Sequence, residues 1–296
     1  MLPVRDEADV LPYNLDWYAD GGFPTVVVDN GSTDGSYELC EQALTDGRLE
    51  ALERIETERC DWRTVLGAVF RLAKRHRPDY LVLAAADEFF EVADGRDLLG
   101  AMREDFAAGY NALTPSNMEF HMTERDDPAE PNPLARMRYY TCQQVRMTRA
   151  YPCVPELDIV GPGSIFPPGL ERRRSPRKYV SRHYPFRTPE QALRKLERMS
   201  DRPTAYLRHD YLRFSGDPTE FLTKTSRLFR YREDHAWKYE DKAMSARLSQ
   251  TEKALARFHG ELSELQAEHT ALQQEHTALQ AKHTALLGML EARSAP

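Results

Sequence analysis

Hydrophobic and polar positions along the first ~115 residues switch repeatedly between a period of two and a period of about 3.6. Residues 25–29 read T-V-V-V-D, a short β-branched run suited to a strand buried on both faces. Ahead of it, Val10, Leu11, Leu15 and Tyr18 mark one face of a helix that Gly21 and Gly22 close. After it, N-G-S-T-D-G forms a polar turn, and helices are expected over about 36–44 and 61–76. The second of these carries Val65, Val69, Leu72 and Ala73 on one face. The run L-V-L-A-A-A-D-E-F-F at 81–90 belongs to a strand over about 80–84 and ends in adjacent carboxylates, Asp87 and Glu88. A helix over about 96–107 then leads to a strand near 111–114. Such alternation predicts an α/β fold, an open and mostly parallel sheet with flanking helices. Ligands gather at the carboxyl ends of the strands in sheets of this kind.

From about 116 to 180 the pattern is irregular and rich in Pro, Arg and Tyr, which fits loops and short antiparallel strands. Thr188-Pro189-Glu190-Gln191 is a helix start: a Thr cap, Pro at the first helical position, and Gln placed to close a capping box. That helix is expected to reach about 199, and a second helical stretch to occupy about 218–231. The tail has a strict seven-residue repeat, E-H-T-A-L-Q-Q, E-H-T-A-L-Q-A and K-H-T-A-L-L-G. With Phe258, Leu265, Leu272, Leu279 and Leu286 at d, the a positions are Leu248, Leu255, Leu262, His269, His276 and His283. One register held this long predicts a C-terminal α-helical coiled coil that joins chains into a homo-oligomer. The expected organisation is an α/β domain over 1–200 (halves 1–115 and 116–200), a helical extension over 201–245 and the coiled coil over 246–292.

Charge and cysteine content narrow the classes. With 40 basic and 47 acidic residues the formal charge is -7, which argues against nucleic acid as partner. Cys40, Cys60, Cys142 and Cys153 show no C-x-x-C spacing and read as reduced thiols of a cytoplasmic protein. No apolar run reaches the ~20 residues a membrane span needs, though peripheral contact with the inner face of a membrane stays open.

Three segments bring polar residues to one sheet edge: V-R-D-E-A-D-V-L-P at 4–12, V-V-V-D-N-G-S-T-D-G at 26–35, and A-D-E-F-F at 86–90. Buried acids need a counter-charge, so a cation or a cation-bearing ligand is expected there. In this order and spacing the segments resemble glycosyltransferase family 2, in the branch with an Asn/Asp-Glu-Ala start and an Asp-Glu-Phe metal motif. R-H-Y-P-F-R-T-P-E-Q at 182–191 resembles the segment that ends the catalytic domain in many relatives.

The resemblance implies a GT-A-like fold binding a nucleotide-sugar donor with a divalent metal, Mn²⁺ or Mg²⁺, and a glycan or glycolipid acceptor. Asp29 and Asn30, with Pro3, Val4, Arg5 and Glu7, would bind the nucleotide. Asp87, Glu88 and His183 would serve the metal and Arg187 the diphosphate; oxygen ligands suit such cations. The chain departs from the family where Ala85 stands in place of the first motif acid. Inverting transfer needs a general base. Asp158 before a Gly-Pro-Gly turn is the first candidate, with Glu156, Glu119 and Asp126 as others. The basic run at 172–187 could meet a diphosphate, an anionic acceptor or a lipid headgroup, or be a solvated loop. Two rivals stand beside the glycosyltransferase reading. One is a nucleotidyltransferase, although V-R-D-E-A-D lacks the glycines of its phosphate loop; the other is a weakened or inactive oligomerising scaffold.

The histidines at three consecutive a positions either set register or make the seam sensitive to pH, since imidazolium groups packed together repel. If they make a switch, helicity of the tail falls between about pH 8 and about pH 5, around the reference pKa of about 6.5. Equal circular dichroism at both ends of that range would leave them only a register role.

Overall fold

The computed structural model describes residues 1–57, 62–143, 147–154, 170–199 and 218–231, together with 269, 272, 273 and 276. The chain divides into two compact units, Met1–Ala236 and Trp237–Pro296. In the second unit His269, Leu272, Gln273 and His276 are helical, and Gln273 Nε2 lies 3.0 Å from His269 Nε2. The rest of the expected coiled coil, and most of the 201–245 extension, lie outside the described residues.

The first unit opens with three parallel strands, β1 (Leu2–Val4), β2 (Val26–Asn30) and β3 (Ala51–Ile55), in that spatial order. Helices α1 (Leu11–Asp20) and α2 (Ser36–Thr45) connect them, and α3 (Trp62–Arg75) follows. Alternation along β2 explains the layering. Val26 and Val28 pack with Leu66, Val69, Phe70 and Ala73 of α3, while Val27 packs with Leu11, Leu15, Cys40 and Ala43 of α1 and α2. A strand covered on both faces has no solvent side, so its apolar run is unbroken until Asp29.

The next stretch differs from expectation. Strand β4 covers only Tyr80–Val82 and pairs antiparallel with β8 (Ala150–Pro152). It meets the start of β1 without forming a ladder: the Met1 ammonium donates to the Val82 carbonyl at 2.9 Å, and the Ala84 N–H donates to the Met1 carbonyl at 3.2 Å. Residues 83–87 are a connection, and Glu88 opens a new strand, β5 (Glu88–Val92), buried along its whole length. A five-stranded sheet follows in the order β10–β7–β6–β9–β5, built from β5, β6 (Ser116–Phe120), β7 (Tyr139–Gln143), β9 (Tyr179–His183) and β10 (Phe229–Arg230). Only β6–β9 pairs in parallel there, so the described sheets are mixed rather than mostly parallel. The expected strand near 111–114 is reduced to two isolated bridges, at Ala112 and Leu113. Two 3₁₀ turns (Pro218–Phe221 and Thr225–Arg227) and β10 occupy the expected helix at 218–231. Leu228 and Tyr231 are buried at the sheet's edge, and the Tyr231 N–H donates to the Arg138 carbonyl at 2.7 Å. A backbone so paired has no helical choice.

Helices α4 (Leu98–Ala107), α5 (Pro133–Arg136) and α6 (Pro189–Met199) complete the unit. Asp97 caps α4 by accepting from the Gly100 N–H. Thr188 caps α6 by accepting from the Gln191 N–H at 3.1 Å. The Gln191 carboxamide oxygen instead accepts from the Arg187 N–H at 3.1 Å, one residue outside the expected capping box.

Charge is buried inside the mixed sheet as well. Arg182 on β9 pairs with Glu91 on β5, and its guanidinium lies 5.1 Å from the Trp17 ring and 4.5 Å from the Tyr231 ring. Removing one partner would strand the other without a counter-charge. Glu91→Ala is therefore expected to lower stability by about 3–5 kcal/mol, measured by urea unfolding. A loss below about 1 kcal/mol would place Arg182 in contact with water instead.

Candidate active site

The carboxyl ends of β1, β2 and β3 carry two interlocked loops. Asp6 adopts a left-handed conformation (φ +52°), which non-glycine residues avoid unless their surroundings hold them there. Its N–H donates to Ser32 Oγ at 3.0 Å, and its carboxylate accepts from the Thr33 N–H at 2.8 Å and meets Arg198 Nη1 at 2.5 Å. The Glu7 N–H donates to Ser36 Oγ at 2.9 Å and the Ala8 N–H to Asp34 Oδ2 at 3.0 Å. D-E-A-D and N-G-S-T-D-G therefore hold each other in place.

This edge leaves buried polar atoms without partners. Val4 pairs with Asp29 across β1 and β2, so Arg5 comes up beside Asn30. Asp29 is 0 % exposed; its Oδ2 accepts from the Ser32 N–H at 3.1 Å and lies 3.7 Å from Arg54 Nε. Asn30 Oδ1 accepts from the Thr57 N–H at 3.2 Å and from the Thr57 hydroxyl at 2.9 Å, while Arg5 Nη1 donates to the Thr57 carbonyl at 3.3 Å. Asp29 Oδ1, Asn30 Nδ2 and Arg5 Nε have no partner among the described residues. Unpaired buried groups each cost about 1–3 kcal/mol, and here three gather at one strand edge. Pro3 and Val4 supply strand backbone beneath them.

A few residues away sits a dense ionic cluster. Asp87 is buried at the turn into β5, and its Oδ2 faces Lys195 Nζ at 2.7 Å, His183 Nε2 at 3.7 Å and Arg187 Nη1 at 3.9 Å. Glu7 meets the same lysine at 3.0 Å and Arg187 Nη2 at 2.5 Å, and Asp9 accepts from Arg187 Nε and Nη2, both at 2.8 Å. Across the mixed sheet Glu88, His183 and Glu119 stand in one row, and His183 Nδ1 is 3.7 Å from Glu119 Oε2. Protonation states follow from these distances. Burial works against the charged form of Asp87, yet Lys195 and then His183 hold its pKa well below the usual 3.8. Burial likewise disfavours His183 as a cation, but Asp87 outweighs it and raises the pKa to about 10. Lys195 is raised too, Asp87 and Glu7 overcoming its burial. Three carboxylates (Glu7, Asp9, Asp87) thus face three cations (Arg187, Lys195 and protonated His183).

The expected metal site does not form from these side chains. Among the described residues no group of three or more His, Cys, Asp or Glu is placed to hold a metal. Glu88 is engaged by Arg149 Nη2 at 2.5 Å and by the Ala85 N–H at 3.0 Å. Ala85 offers no carboxylate, and the Lys195 ammonium lies against Asp87 where an ion would bind. Two unit charges 4 Å apart interact by about 4 kcal/mol at an effective dielectric constant of about 20, so Lys195 alone would repel a dication there roughly twice as strongly and offset the attraction of Asp87 and Glu7 unless it moved. The donor set does not fit a resident divalent ion.

Other expectations divide. Arg187 is 0 % exposed at its side chain, and Glu7, Asp9 and the Tyr184 carbonyl take its hydrogen bonds. It clamps the loop after β1 to the start of α6 rather than facing a diphosphate. Asp126 accepts from the Thr123 N–H at 3.1 Å and the Thr123 hydroxyl at 2.7 Å, and burial raises its pKa. Asp158 and Glu156 lie outside the described residues. In the basic run, Arg177 pairs with Asp105 and Glu104, and Arg182 with Glu91, so part of it is internal neutralisation. Lys195, Asp9 and Arg149 were not anticipated. Lys195 had one legible signal: it shares the buried face of α6 with Gln191, Ala192 and Leu196, an odd place for a lysine without carboxylates opposite.

No family model matches this chain, and no curated protein matches it. Among solved structures it is similar to a mannosyltransferase from Pyrobaculum calidifontis in complex with GDP-Man and Mn²⁺, at 28% identity and a TM-score of 0.31. That match covers 38% of this chain and only 33% of the other. It is also similar to TarS of S. aureus in complex with UDP (13% identity, TM-score 0.32, covering 73% of this chain and 71% of that one). A putative glucose-1-phosphate thymidylyltransferase from Bacillus anthracis aligns at 8% identity and a TM-score of 0.29, over 73% of this chain and 72% of its own. At such TM-scores the superpositions establish neither a shared fold nor a shared activity. Among the described residues no helix is long and apolar enough to cross a membrane.

The ion cluster makes stability depend on pH in a defined direction. His183, with a folded pKa near 10 against an ordinary 6.5, contributes stability that is complete below pH 6.5 and lost as pH rises through 10. The gap in melting temperature between wild type and His183→Gln is expected to be widest near pH 6 and to narrow toward pH 10. A gap that widens with pH would mean the imidazole is neutral in the folded protein.

Proposed function

We propose that this chain is a glycosyltransferase with a GT-A-like domain, moving a sugar from a nucleotide-sugar to a hydroxyl of a glycan or glycolipid precursor. The observation that carries the reading is the trio of unpaired buried atoms at the carboxyl edge of the parallel strands, beside a cluster rich in both charges. Two donors (Arg5 Nε, Asn30 Nδ2) and one acceptor (Asp29 Oδ1) complement the acceptor–donor–acceptor edge of uracil or thymine. Sheet edges of this kind are where nucleotides bind in open α/β folds. The order of V-R-D-E-A-D, V-V-V-D-N-G-S-T-D-G and A-D-E-F-F supports the same reading independently of the geometry.

In the transfer, the bond from the anomeric carbon to the diphosphate oxygen breaks, and its electron pair leaves with the nucleoside diphosphate. The acceptor oxygen bonds to that carbon and gives its proton to a base. Inversion at the anomeric carbon is carried over from the family resemblance. Glu119, beside His183 on the mixed sheet, is the described candidate for the base, with Asp158 the candidate beyond the described residues. The tail repeat would bring copies of the domain together.

A screen of UDP-, dTDP-, GDP- and CDP-sugars by thermal shift tests the reading. A true donor is expected to raise the melting temperature by linkage and to release its nucleoside diphosphate slowly in water or faster with acceptor. Asp29→Ala is expected to weaken that donor by about 10- to 100-fold, the worth of a charge-assisted hydrogen bond of about 1.5–3 kcal/mol. If no nucleotide-sugar stabilises the protein, the proposal fails.

A further inference from the structure

The carboxylate that the family resemblance assigns to a metal is already paired, and its partner has capacity left. An ammonium group has three N–H donors. Lys195 directs one to Glu7 Oε1 at 3.0 Å and one to Asp87 Oδ2 at 2.7 Å. The third has no acceptor among the described residues, and the side chain retains 14% exposure. Arg187 cannot fill this role, because its guanidinium is fully buried among Glu7, Asp9 and the Tyr184 carbonyl. His183 Nδ1 is also without a hydrogen-bond partner, but that atom is buried and faces Glu119 at 3.7 Å, whereas the Lys195 side chain combines a fixed position, an unused donor and partial exposure.

We infer that Lys195 stands in for the divalent ion, so that this protein holds the diphosphate of a nucleoside diphosphate with an internal ammonium and needs no metal to bind it. The inference rests on the nucleotide-sugar reading above. Positioned lysine and arginine side chains can perform the electrostatic work on a phosphoryl group that Mg²⁺ performs elsewhere, since both place fixed positive charge where negative charge develops. Three observations favour the ammonium over the ion here. The first motif acid is Ala85, so a bound ion would lose a carboxylate ligand. Glu88 is turned away to Arg149. Lys195 is fixed on a helix whose cap, Thr188, follows directly on Arg187, so the two cations enter the site as one rigid element. Glu7 and Asp87 orient the ammonium without cancelling its third donor.

Calorimetric titration of the full chain with UDP and with GDP, in excess EDTA and in Mn²⁺, tests this. At least one nucleotide is expected to bind, with dissociation constants in the two buffers agreeing within about threefold. Lys195→Met is expected to weaken binding in EDTA by about 10- to 100-fold, and Lys195→Arg to recover part of the loss. Binding abolished by EDTA and restored by Mn²⁺ would overturn the inference while leaving the nucleotide site standing. A folded Lys195→Met protein that binds in EDTA as wild type does would also overturn it. If neither nucleotide binds in either buffer, and dTDP and CDP do not bind either, the nucleotide reading fails and takes the inference with it. Should Lys195→Met not fold, the wild-type comparison between EDTA and Mn²⁺ decides alone.

Discussion

The first unit is organised around the need to neutralise carboxylates withdrawn from water where its parallel three-stranded sheet meets its mixed five-stranded sheet. Asp87 and Glu7 are both buried, and an uncompensated charge at such depth costs several kcal/mol. Lys195 answers both at once, and Arg187 adds a second contact to Glu7 while reaching Asp9. These bonds join the loop after β1, the turn into β5 and the helix α6, segments separated by as many as 188 positions in the chain. Without that neutralisation the carboxyl edge of the parallel strands would have no fixed neighbour.

The mixed sheet extends the same logic. β9 lies between β5 and β6, which sets His183 between Glu88 and Glu119 and puts it within 3.7 Å of Asp87. One residue earlier on β9, Arg182 finds Glu91 on one side and the rings of Trp17 and Tyr231 around it. Tyr184, fully buried, stacks on Phe120 at 4.4 Å and meets Phe89 edge-on at 5.6 Å. Aromatic packing fixes the β9–α6 corner, and the corner aims both cations. The backbone contributes as well: the Tyr184 N–H donates to the Asp87 carbonyl at 2.9 Å, so the acid and the corner are tied through main chain and side chain together.

Unpaired polar atoms and neutralised charge are separated along the sheet edge. The Arg5–Asp29–Asn30 corner keeps unpaired hydrogen-bonding atoms and suits a neutral, directional ligand edge. The cluster around Lys195 sets Glu7, Asp9 and Asp87 against Lys195, Arg187 and His183 and keeps one unused ammonium donor, which can meet an anion's oxygen. A nucleotide has both features in one molecule, which is why the two corners are more informative together than either alone.

Much of this was legible in the residues. The three-residue valine run before Asp29, the α3 stripe of Val65, Val69, Leu72 and Ala73, and the Thr-Pro-Glu-Gln start of α6 each fixed an element, because period, cap and branching are local properties. The sequence also marked Asp29 and Asp87 as acids at the ends of apolar runs, and the family resemblance added His183. It did not reveal that the strand before Asp87 would stop at Val82 and that Glu88 would begin another sheet, since an apolar run carries no record of its partner strand. Nor could it show that the counter-charge for Asp87 is Lys195, 108 positions away, rather than an ion. Composition and spacing determined that charge would be buried at this edge. Only the tertiary structure decided what neutralises it, because the distance between two side chains on separate elements is set by packing and not by sequence.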